Sequence, residues 1–470
     1  MLVLHKIKWT FVTFIFGFLG RSEALNIAVI GAGAAGLTSA KNAIEQGHNV
    51  NIYEKTGVLG GIWYYTDKTG VDEYGVDIHT PMYRDLRTNI PYQLIEFPGY
   101  EYPEETQGYP SHTEILKYLN SYASDFNLTE HIKFHHLVDK IVSIKNNKWK
   151  ITVKNMTNKK RTETKIFDAV FVCTGINSEP RKPEIEGVNK FKRISMHSHD
   201  YRIPETFSGK DVLVVGQGVS GHDIVNQLQG IAKSVLHSSY KPAPIPEIST
   251  TKKLIGKARE FCSKGFDDEE EDPPLSEKES NLVTFGNVKR FTGKNSVEFQ
   301  DGTRRNISVV IYATGYKYSY PFLKKNTGIQ VHDKYVYPLY KQILNIEHST
   351  MAFIGVPYSA AHFWMYDLQA RFALKYISDE IVLPPHDEMI MESKKLIVRN
   401  KPHLLGYGQR RYCTDLAKTA DIEDIPGVIS DLFSLAVTVK EFYDCQQNNF
   451  QQLHSMLTSR TVAIKYAFPR

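Results

Sequence analysis

The sequence is poor in cysteine, and this shortage excludes two classes of protein. Four cysteines occur in 470 residues, with no C-x-x-C or C-x4-C pair, so neither a disulfide framework nor a dithiol redox centre is expected. Cys173 lies in an apolar run and is expected to be a buried thiol. Cys413 and Cys445 either pair with each other or stay free.

The chain also lacks strong charge and long apolar runs. Its net charge is only +5 and no basic cluster is dense, which argues against a nucleic-acid partner. Beyond the first 24 residues no run reaches 18 uninterrupted apolar residues, so no membrane anchor is expected there. A hydrophobic content of 41% is ample for a large core in about two or three domains.

The first 24 residues are typical of a secretory signal peptide. His5, Lys6 and Lys8 supply a basic start, Phe11 to Leu19 an apolar stretch, and Ser22-Glu23-Ala24 a small-x-small cleavage site. An uncleaved anchor is the alternative. Cleavage predicts a protein secreted into extracellular fluid, without a membrane anchor.

Secretion would make three glycosylation sequons usable. They begin at Asn127, Asn155 and Asn306. The first two lie in polar, loop-like surroundings. Asn306 leads into an apolar strand, where a glycan is expected to be hindered.

A dinucleotide-binding unit begins at residue 26. An apolar strand, Ile27 to Ile30, is followed by glycines in G-x-G-x-x-G spacing, a helix from Ala35 to Gln46 and a strand from Asn49 to Tyr53. Glu54 ends that strand, where a carboxylate can accept hydrogen bonds from a ribose hydroxyl. The turn that would hold the pyrophosphate comprises Gly31, Ala32, Gly33, Ala34, Ala35 and Gly36.

A second unit partly repeats the first. A strand from Lys210 to Val215 precedes another glycine turn, a helix continues to Gln229, and a strand runs from Ser234 to His237. This strand ends in Ser238, Ser239 and Lys241 without an acid, a pattern that favours the 2′-phosphate of NADP. The second turn comprises Gly216, Gln217, Gly218, Val219, Ser220 and Gly221.

Two Thr-Gly turns, Thr174-Gly175 and Thr314-Gly315, each follow an apolar strand and are expected to link the two units. We therefore predict an α/β protein with two Rossmann-like dinucleotide-binding domains, the NADP domain inserted into the FAD domain. The expected boundaries are 1–24 for the signal peptide, 25–203 for the first part of the FAD domain, 204–335 for the NADP domain, and 336–470 for the second part of the FAD domain with C-terminal helices.

Further motifs resemble the flavin-containing monooxygenases over nearly the whole mature chain. The segment Phe191 to Tyr201 matches the fingerprint F-x-G-x-x-x-H-x-x-x-[FY] at Phe191, His197 and Tyr201, whereas Arg193 replaces its glycine. The stretches Gly60 to Trp63, Leu86 to Asn89 and Tyr109 to Glu114 also resemble the family. With a signal peptide and no hydrophobic tail, the chain is similar to the secreted insect branch, which includes pyrrolizidine-alkaloid (senecionine) N-oxygenases.

The resemblance implies FAD and NADPH as cofactors, with a small-molecule amine and O2 as partners. NADPH would reduce the flavin, O2 would add to form a C4a-hydroperoxyflavin, and a tertiary amine, such as a pyrrolizidine alkaloid met in detoxification, would be N-oxygenated. It also implies that Asn89 is the catalytic residue beside the flavin. The further FAD-binding residues are Gly61, Ile62, Trp63 and Thr88, and a homo-oligomer is left open.

Rival functions differ in class. S-oxygenation or Baeyer–Villiger oxidation could use the same flavin chemistry, although Tyr201 stands where Baeyer–Villiger enzymes carry Trp. A catalytically silent flavoprotein is also open. His197 is expected to order the segment between the domains, and His362 to lie in a packed loop rather than to line a pocket.

Overall fold

The computed structural model describes residues 23–158, 161–239 and 281–443. Most of the expected signal peptide, together with Lys241 and Cys445, lies outside these residues. The helices of the described part are α1 Ala34–Glu45, α2 His112–Asp125, α3 Val219–Leu228, α4 His362–Ile377, α5 His386–Ile397, α6 Gln409–Ala420 and α7 Gly427–Tyr443. The strands are β1 Asn26–Ile30, β2 Asn49–Tyr53, β3 Ile132–Lys133, β4 His136–Ile144, β5 Lys148–Asn155, β6 Arg161–Phe167, β7 Ala169–Val172, β8 Glu179–Pro180, β9 Ile194–His197, β10 Asp211–Val215, β11 Ser234–Ser238, β12 Leu282–Phe285, β13 Val288–Phe291, β14 Ser296–Phe299, β15 Arg304–Asn306, β16 Val309–Tyr312, β17 Tyr316–Lys317, β18 Gln330–His332, β19 Tyr335–Tyr337, β20 Leu339–Tyr340, β21 Leu344–Asn345 and β22 Met351–Phe353.

The first sheet has the strand order β20-β21-β22-β7-β1-β2-β3, and its centre is parallel. Alternate residues of β1 point to the two opposite faces of this sheet. Ile27 and Val29 pack in a core with α1, α2 and α4, whereas Ala28 and Ile30 pack with the meander β4-β5-β6. Burial on both faces explains the uninterrupted apolar run in the sequence.

The second sheet has the order β12-β11-β10-β16-β9, and its strands are parallel. It repeats the layering of the first, because Val212 and Val214 pack against α3 while Leu213 packs against the meander β13-β14-β15. The chain builds β1 to β7, then the second sheet, and then returns to β20, β21 and β22. This order confirms the predicted fold, in which one dinucleotide-binding domain is inserted into the other. Strand β9 joins the second sheet although it precedes residue 204, and the domain limits themselves stay a prediction.

Local sequence signals account for the helix ends. A capping box is present at α2, since Ser111 Oγ accepts from Glu114 N at 3.4 Å and Glu114 Oε2 accepts from Ser111 N at 2.7 Å. It opens α2 at His112. The prediction for His362 was wrong, because this residue begins α4 and is half-buried rather than lying in a loop.

The sequons differ in placement. Asn127 is exposed in the turn after α2, as expected, with φ of +53°. Asn155 is half-buried at the end of β5 rather than in a loop, and its Oδ1 accepts hydrogen bonds from Thr157 N and Oγ1 at 3.1 and 2.9 Å. Asn306 is exposed at the end of β15.

The remaining sequence expectations concern thiols and membrane segments. Cys173 is a buried free thiol, as predicted. Cys413 is buried and has no disulfide partner among the described residues, and its pairing with Cys445 stays a prediction because Cys445 lies outside them. In the described ranges, every helix is too short or too polar to cross a bilayer.

Candidate functional site

The first glycine turn joins β1 to α1, and two of its glycines are demanded by packing within the protein. Gly31 has φ of +105°, and a Cβ there would lie 2.7 Å from the carbonyl oxygen of Cys173. A Cβ on Gly36 would lie 1.9 Å from the carbonyl oxygen of Gly31. Both contacts are closer than atoms can approach, so the turn and the close helix–strand packing need glycine.

Gly33 has no such internal reason to be glycine. Its φ of −80° suits any residue, and a Cβ would meet only the backbone of Gly61, at an ordinary 3.5 Å. The first intrahelical bond runs from Leu37 N to Gly33 O, so the N–H groups of Ala34 and Ala35 precede it and lack intrahelical acceptors. A bare backbone beside helix-terminal N–H groups fits a pyrophosphate.

A second loop forms the wall opposite Gly33. Gly60 and Gly61 both have positive φ, and Gly60 N donates to Ala32 O at 2.9 Å. A Cβ on Gly61 would lie 3.1 Å from Gly33 Cα, so the two backbones nearly touch. The short helix Gly61–Trp63 continues this loop, with Ile62 O accepting from a threonine hydroxyl and Trp63 half-buried on the helical core. The structure therefore brings the two predicted FAD motifs together.

Glu54 is buried, and its carboxylate is hydrogen-bonded to the backbone of the first glycine turn. Its Oε2 accepts from Ala32 N at 2.9 Å, and its Oε1 accepts from Thr56 N and Oγ1 at 2.9 and 2.8 Å. A carboxylate offers about four acceptor positions, so about one is left for a ribose hydroxyl. The sequence indicated the ribose role but gave no sign that Glu54 also holds the turn.

The second glycine turn, between β10 and α3, has the same construction. Gly216 has φ of +126°, and Cβ atoms on Gly216 and Gly221 would lie 2.2 Å from the carbonyl oxygens of Ala313 and Gly216 respectively. A Cβ on the middle glycine, Gly218, would have no atom of the described residues within 4 Å. Gln217 and Val219 are exposed, and Ser220 is half-buried at the first turn of α3. This cradle also fits a phosphate-bearing ligand.

The residues expected to bind the 2′-phosphate differ in whether they remain able to donate a hydrogen bond to it. Ser238 is buried, and its hydroxyl donates to Gly286 O at 2.9 Å, so its one proton is already committed. Ser239 is half-buried and directly follows the strand. Lys241 lies outside the described residues. Ser239 is therefore the described residue with a hydroxyl that can still donate to a phosphate.

The structure adds a histidine pair that the sequence analysis missed. His237 is buried at the end of β11, with Nε2 lying 2.8 Å from Gly216 O, and its ring centroid lies 5.1 Å from that of His222 on α3. When the His237 ring donates its N–H to the Gly216 carbonyl, this bond holds the glycine turn against the end of β11. The only signal in the sequence was a histidine just before the serines that end the strand.

The loop carrying Asn89 is anchored on both sides. Thr88 N donates to Pro110 O at 3.0 Å, Tyr92 N donates to Gly108 O at 3.0 Å, and Thr88 and Ile90 are buried. The side chain of Asn89 is exposed between them. The buried hydroxyl of Thr88 has no hydrogen-bond partner among the described residues. The backbone is thus held in place while the Asn89 amide is free to meet a ligand.

Aromatic and charged residues join the two domains. Tyr83 donates its hydroxyl to Asp223 on α3, Tyr201 donates to Gln227 Oε1 at 3.1 Å, and the two tyrosine rings lie edge to face at 5.4 Å. Buried Arg202 donates to the carbonyl oxygens of residues 68, 80, 199 and 201. The two tyrosine bonds hold helix α3 against the segment that precedes Asn89, and Arg202 ties residues 68 and 80 to the segment before β10.

Burial keeps three histidines neutral at physiological pH. Burial lowers the pKa of His79 to about 3, with the nearby Lys55 charge adding to the effect. Burial lowers the pKa of His197 and of His362 to about 4. His197 Nδ1 accepts from His199 N at 3.1 Å, which supports the expected ordering role.

Known proteins share this architecture. The family described as flavin-binding monooxygenase-like matches residues 24–247 and 278–442. The chain is 35% identical over 378 residues to senecionine N-oxygenase of Tyria jacobaeae, covering 80% of this chain and 76% of that protein. It is 31% identical over 420 residues to the flavin-containing monooxygenase FMO GS-OX5 of Arabidopsis thaliana, covering 85% of each.

A solved structure extends the match to the whole fold. The S-allyl-L-cysteine S-oxygenase from Allium sativum superposes with a TM-score of 0.79 at 25% identity, over 95% of this chain and 99% of that chain. Sequence and structure therefore agree on the two dinucleotide-binding domains and on their cofactors. The chain belongs to the flavin-binding monooxygenase-like family and is an FAD-dependent monooxygenase that uses NADPH.

Proposed function

We propose that this monooxygenase N-oxygenates tertiary amines, with pyrrolizidine alkaloids such as senecionine as the substrate class. The observation that carries the proposal is the 35% identity to senecionine N-oxygenase over 80% of this chain. Bound FAD, once reduced by NADPH, supplies the oxygen-transfer chemistry. The protein's own residues bind, orient and shield the reactants.

Cofactor binding is assigned to the two glycine cradles. Gly31 to Gly36 and Gly61 to Trp63 would hold the FAD pyrophosphate, and Glu54 would accept from its ribose. Gly216 to Gly221 would hold the NADPH pyrophosphate, with Ser239 donating to the 2′-phosphate. The support comes from the two middle glycines, Gly33 and Gly218. Protein packing does not require glycine at either position, so the space beside each backbone is left for a ligand.

Asn89 is proposed to stabilise the oxygen-transferring form of the cofactor. Its amide can donate and accept hydrogen bonds at once. The loop on either side is fixed to the backbone of residues 108 and 110, so the amide would meet the ligand with little loss of backbone entropy. Thr88, buried beside it, would help to shape the same wall.

The proposed setting is extracellular. The first 24 residues would be removed as a signal peptide, and glycosylation at Asn127 or Asn155 would follow entry into the secretory pathway. An N-oxide is polar and uncharged near neutrality, so it crosses membranes poorly. Forming it in extracellular fluid would detoxify an alkaloid before it reaches cells.

S-oxygenation is the second candidate, favoured by the extensive structural match to S-allyl-L-cysteine S-oxygenase. Baeyer–Villiger oxidation has weaker support. Tyr201 is fully buried, stacked on Phe207 and bonded to Gln227, whereas Trp at this position would lose the hydroxyl that makes the bond.

The test is a product screen with purified FAD-loaded enzyme, NADPH and O2. Pyrrolizidine alkaloids, simple trialkylamines, thioethers and cyclic ketones are supplied separately, and the products are identified by chromatography and mass. N-oxide from the alkaloids at the highest kcat/KM supports the proposal. Sulfoxide alone favours the second candidate, and ester or lactone from the ketones, with neither N-oxide nor sulfoxide, contradicts both.

A further inference from the structure

The second sheet presents a cationic pocket at the edge opposite its glycine turn. In a parallel sheet all strands begin at the same edge, and here β9, β10 and β16 begin beside one another. The pocket at this edge has a volume of about 560 Å³. Its lining residues are Lys192, Arg193, Ile194, Lys210 and Ser308.

Strand pairing fixes how the cations are arranged. Arg193 immediately precedes β9, Lys210 precedes β10, and Ser308 precedes β16, which lies between them. Ile194 N donates to Ser308 O, and Ser308 N donates to Asp211 O at 2.8 Å, which ties the three strand starts together. With neighbouring strands about 4.8 Å apart, Arg193 and Lys210 flank a gap of roughly 10 Å that has a serine in its middle.

The positive charge in this pocket is not cancelled by nearby acids. In the part of the chain that the structure describes, Lys192, Arg193 and Lys210 form no ion pair with Asp or Glu. Asp211, the acid on this edge, is directed away, because its carboxylate accepts from Ser234 Oγ at 2.7 Å and lies 3.6 Å from Lys233 Nζ.

Glu205, another acid beside a partner of Lys210, is also engaged elsewhere. Lys210 Nζ donates to Thr206 O at 2.7 Å, and the neighbouring Glu205 pairs with Arg84 at 2.7 Å. Since an ammonium group has three donors, Lys210 keeps two for a ligand. Among the described residues the Arg193 guanidinium has no hydrogen-bond or ion-pair partner, and its fork shape matches two oxygens of one anion.

We propose that this pocket binds a tetrahedral oxyanion, a phosphate or sulfate group, free or carried as the headgroup of an acidic lipid. Arg193 stands where the family fingerprint has glycine, so this one cation is a departure from that fingerprint. The pocket is separate from the NADPH cradle. Strand β10 has five residues, and a rise of about 3.3 Å per residue places the two edges roughly 15 Å apart.

The test uses the full-length enzyme loaded with FAD and saturated with NADP⁺, so that both cofactor sites are filled. Inorganic phosphate is titrated by calorimetry at constant ionic strength. We expect saturable binding by the wild type, weakened at least about tenfold in Arg193→Gln and in Lys210→Gln, since each removes a charge-assisted hydrogen bond. Lys395→Gln, which removes an exposed lysine on α5, is the matched charge control and should bind phosphate like the wild type.

A second arm separates the two sources of the anion. Vesicles of phosphatidylcholine with and without phosphatidic acid are sedimented with each variant. Phosphatidic-acid-dependent binding that is lost in Arg193→Gln and displaced by free phosphate assigns a lipid headgroup, whereas phosphate binding without vesicle binding assigns a free anion. Absent phosphate binding, or equal loss in Lys395→Gln, overturns the proposal. None of these binding outcomes affects the proposal for the oxygenation reaction, which is tested separately by the product screen.

Discussion

Replacing Gly33 by alanine tests whether the first cradle holds a ligand or only closes a turn. The backbone of Gly33 has φ of −80°, and the new Cβ would lie 3.5 Å from Gly61, so the protein can accept it. Alanine is a poorer N-cap than glycine, which costs about 1 kcal/mol. We therefore expect the FAD-free variant to fold with nearly the stability of the wild type.

FAD binding should respond quite differently. The new methyl group occupies the approach of the pyrophosphate, and losing one or two charge-assisted hydrogen bonds of about 1.5–3 kcal/mol each weakens FAD binding at least about tenfold. The matched control is Gly36→Ala, whose Cβ would lie 1.9 Å from the Gly31 carbonyl oxygen. That overlap should destabilise the protein itself by about 3 kcal/mol.

Two measurements on each variant separate these effects. Urea denaturation of the FAD-free protein gives the free energy of unfolding, and fluorescence titration gives the Kd for FAD. The reasoning is refuted if Gly33→Ala binds FAD as tightly as the wild type, or if Gly36→Ala is as stable as Gly33→Ala.

Other expected outcomes follow from the same geometry. The enzyme should prefer NADPH over NADH by at least about tenfold in kcat/KM, and Ser239→Ala should lower that ratio, because the hydroxyl of Ser239 remains able to donate; an unchanged ratio would remove Ser239 from the site. Asn89→Ala should bind FAD and accept electrons from NADPH but release more hydrogen peroxide per product formed, and unchanged coupling would discard its role. Protein from a eukaryotic host should lack the first 24 residues and carry glycan at Asn127 or Asn155, as intact-mass analysis would show; a full-length product without glycan would contradict secretion. Turnover of a tertiary amine should rise with pH toward the amine's own pKa, since only the deprotonated form has a lone pair to react, and a flat profile would contradict amine attack as the limiting step.

The fold was largely predictable because its signals are local. Apolar runs buried on both faces, glycines at forced turns and an acid after the second strand are all contiguous in the sequence. The helix limits were correct to within one residue for α1, whereas His362 was misjudged. Its place at the start of α4 is set by contacts distant in sequence, such as Ala361 N donating to Gln409 Oε1 at 2.6 Å.

The candidate site was less predictable, because its details depend on which partner reaches each polar group. Ser238 and Ser239 look equivalent in the sequence, but only the fold shows that the first is bonded to Gly286. Likewise, the bond between Tyr83 and Asp223 joins residues 140 positions apart. Neither contact has a spacing that sequence patterns can reveal.

The most direct test of the central claim is an isotope-labelling experiment with ¹⁸O2, NADPH and senecionine. The account predicts an N-oxide that carries one labelled oxygen atom, formed in proportion to the NADPH consumed. Contradiction would come from NADPH consumption that yields only hydrogen peroxide with every amine, sulfide and ketone offered, or from an N-oxide whose oxygen is unlabelled.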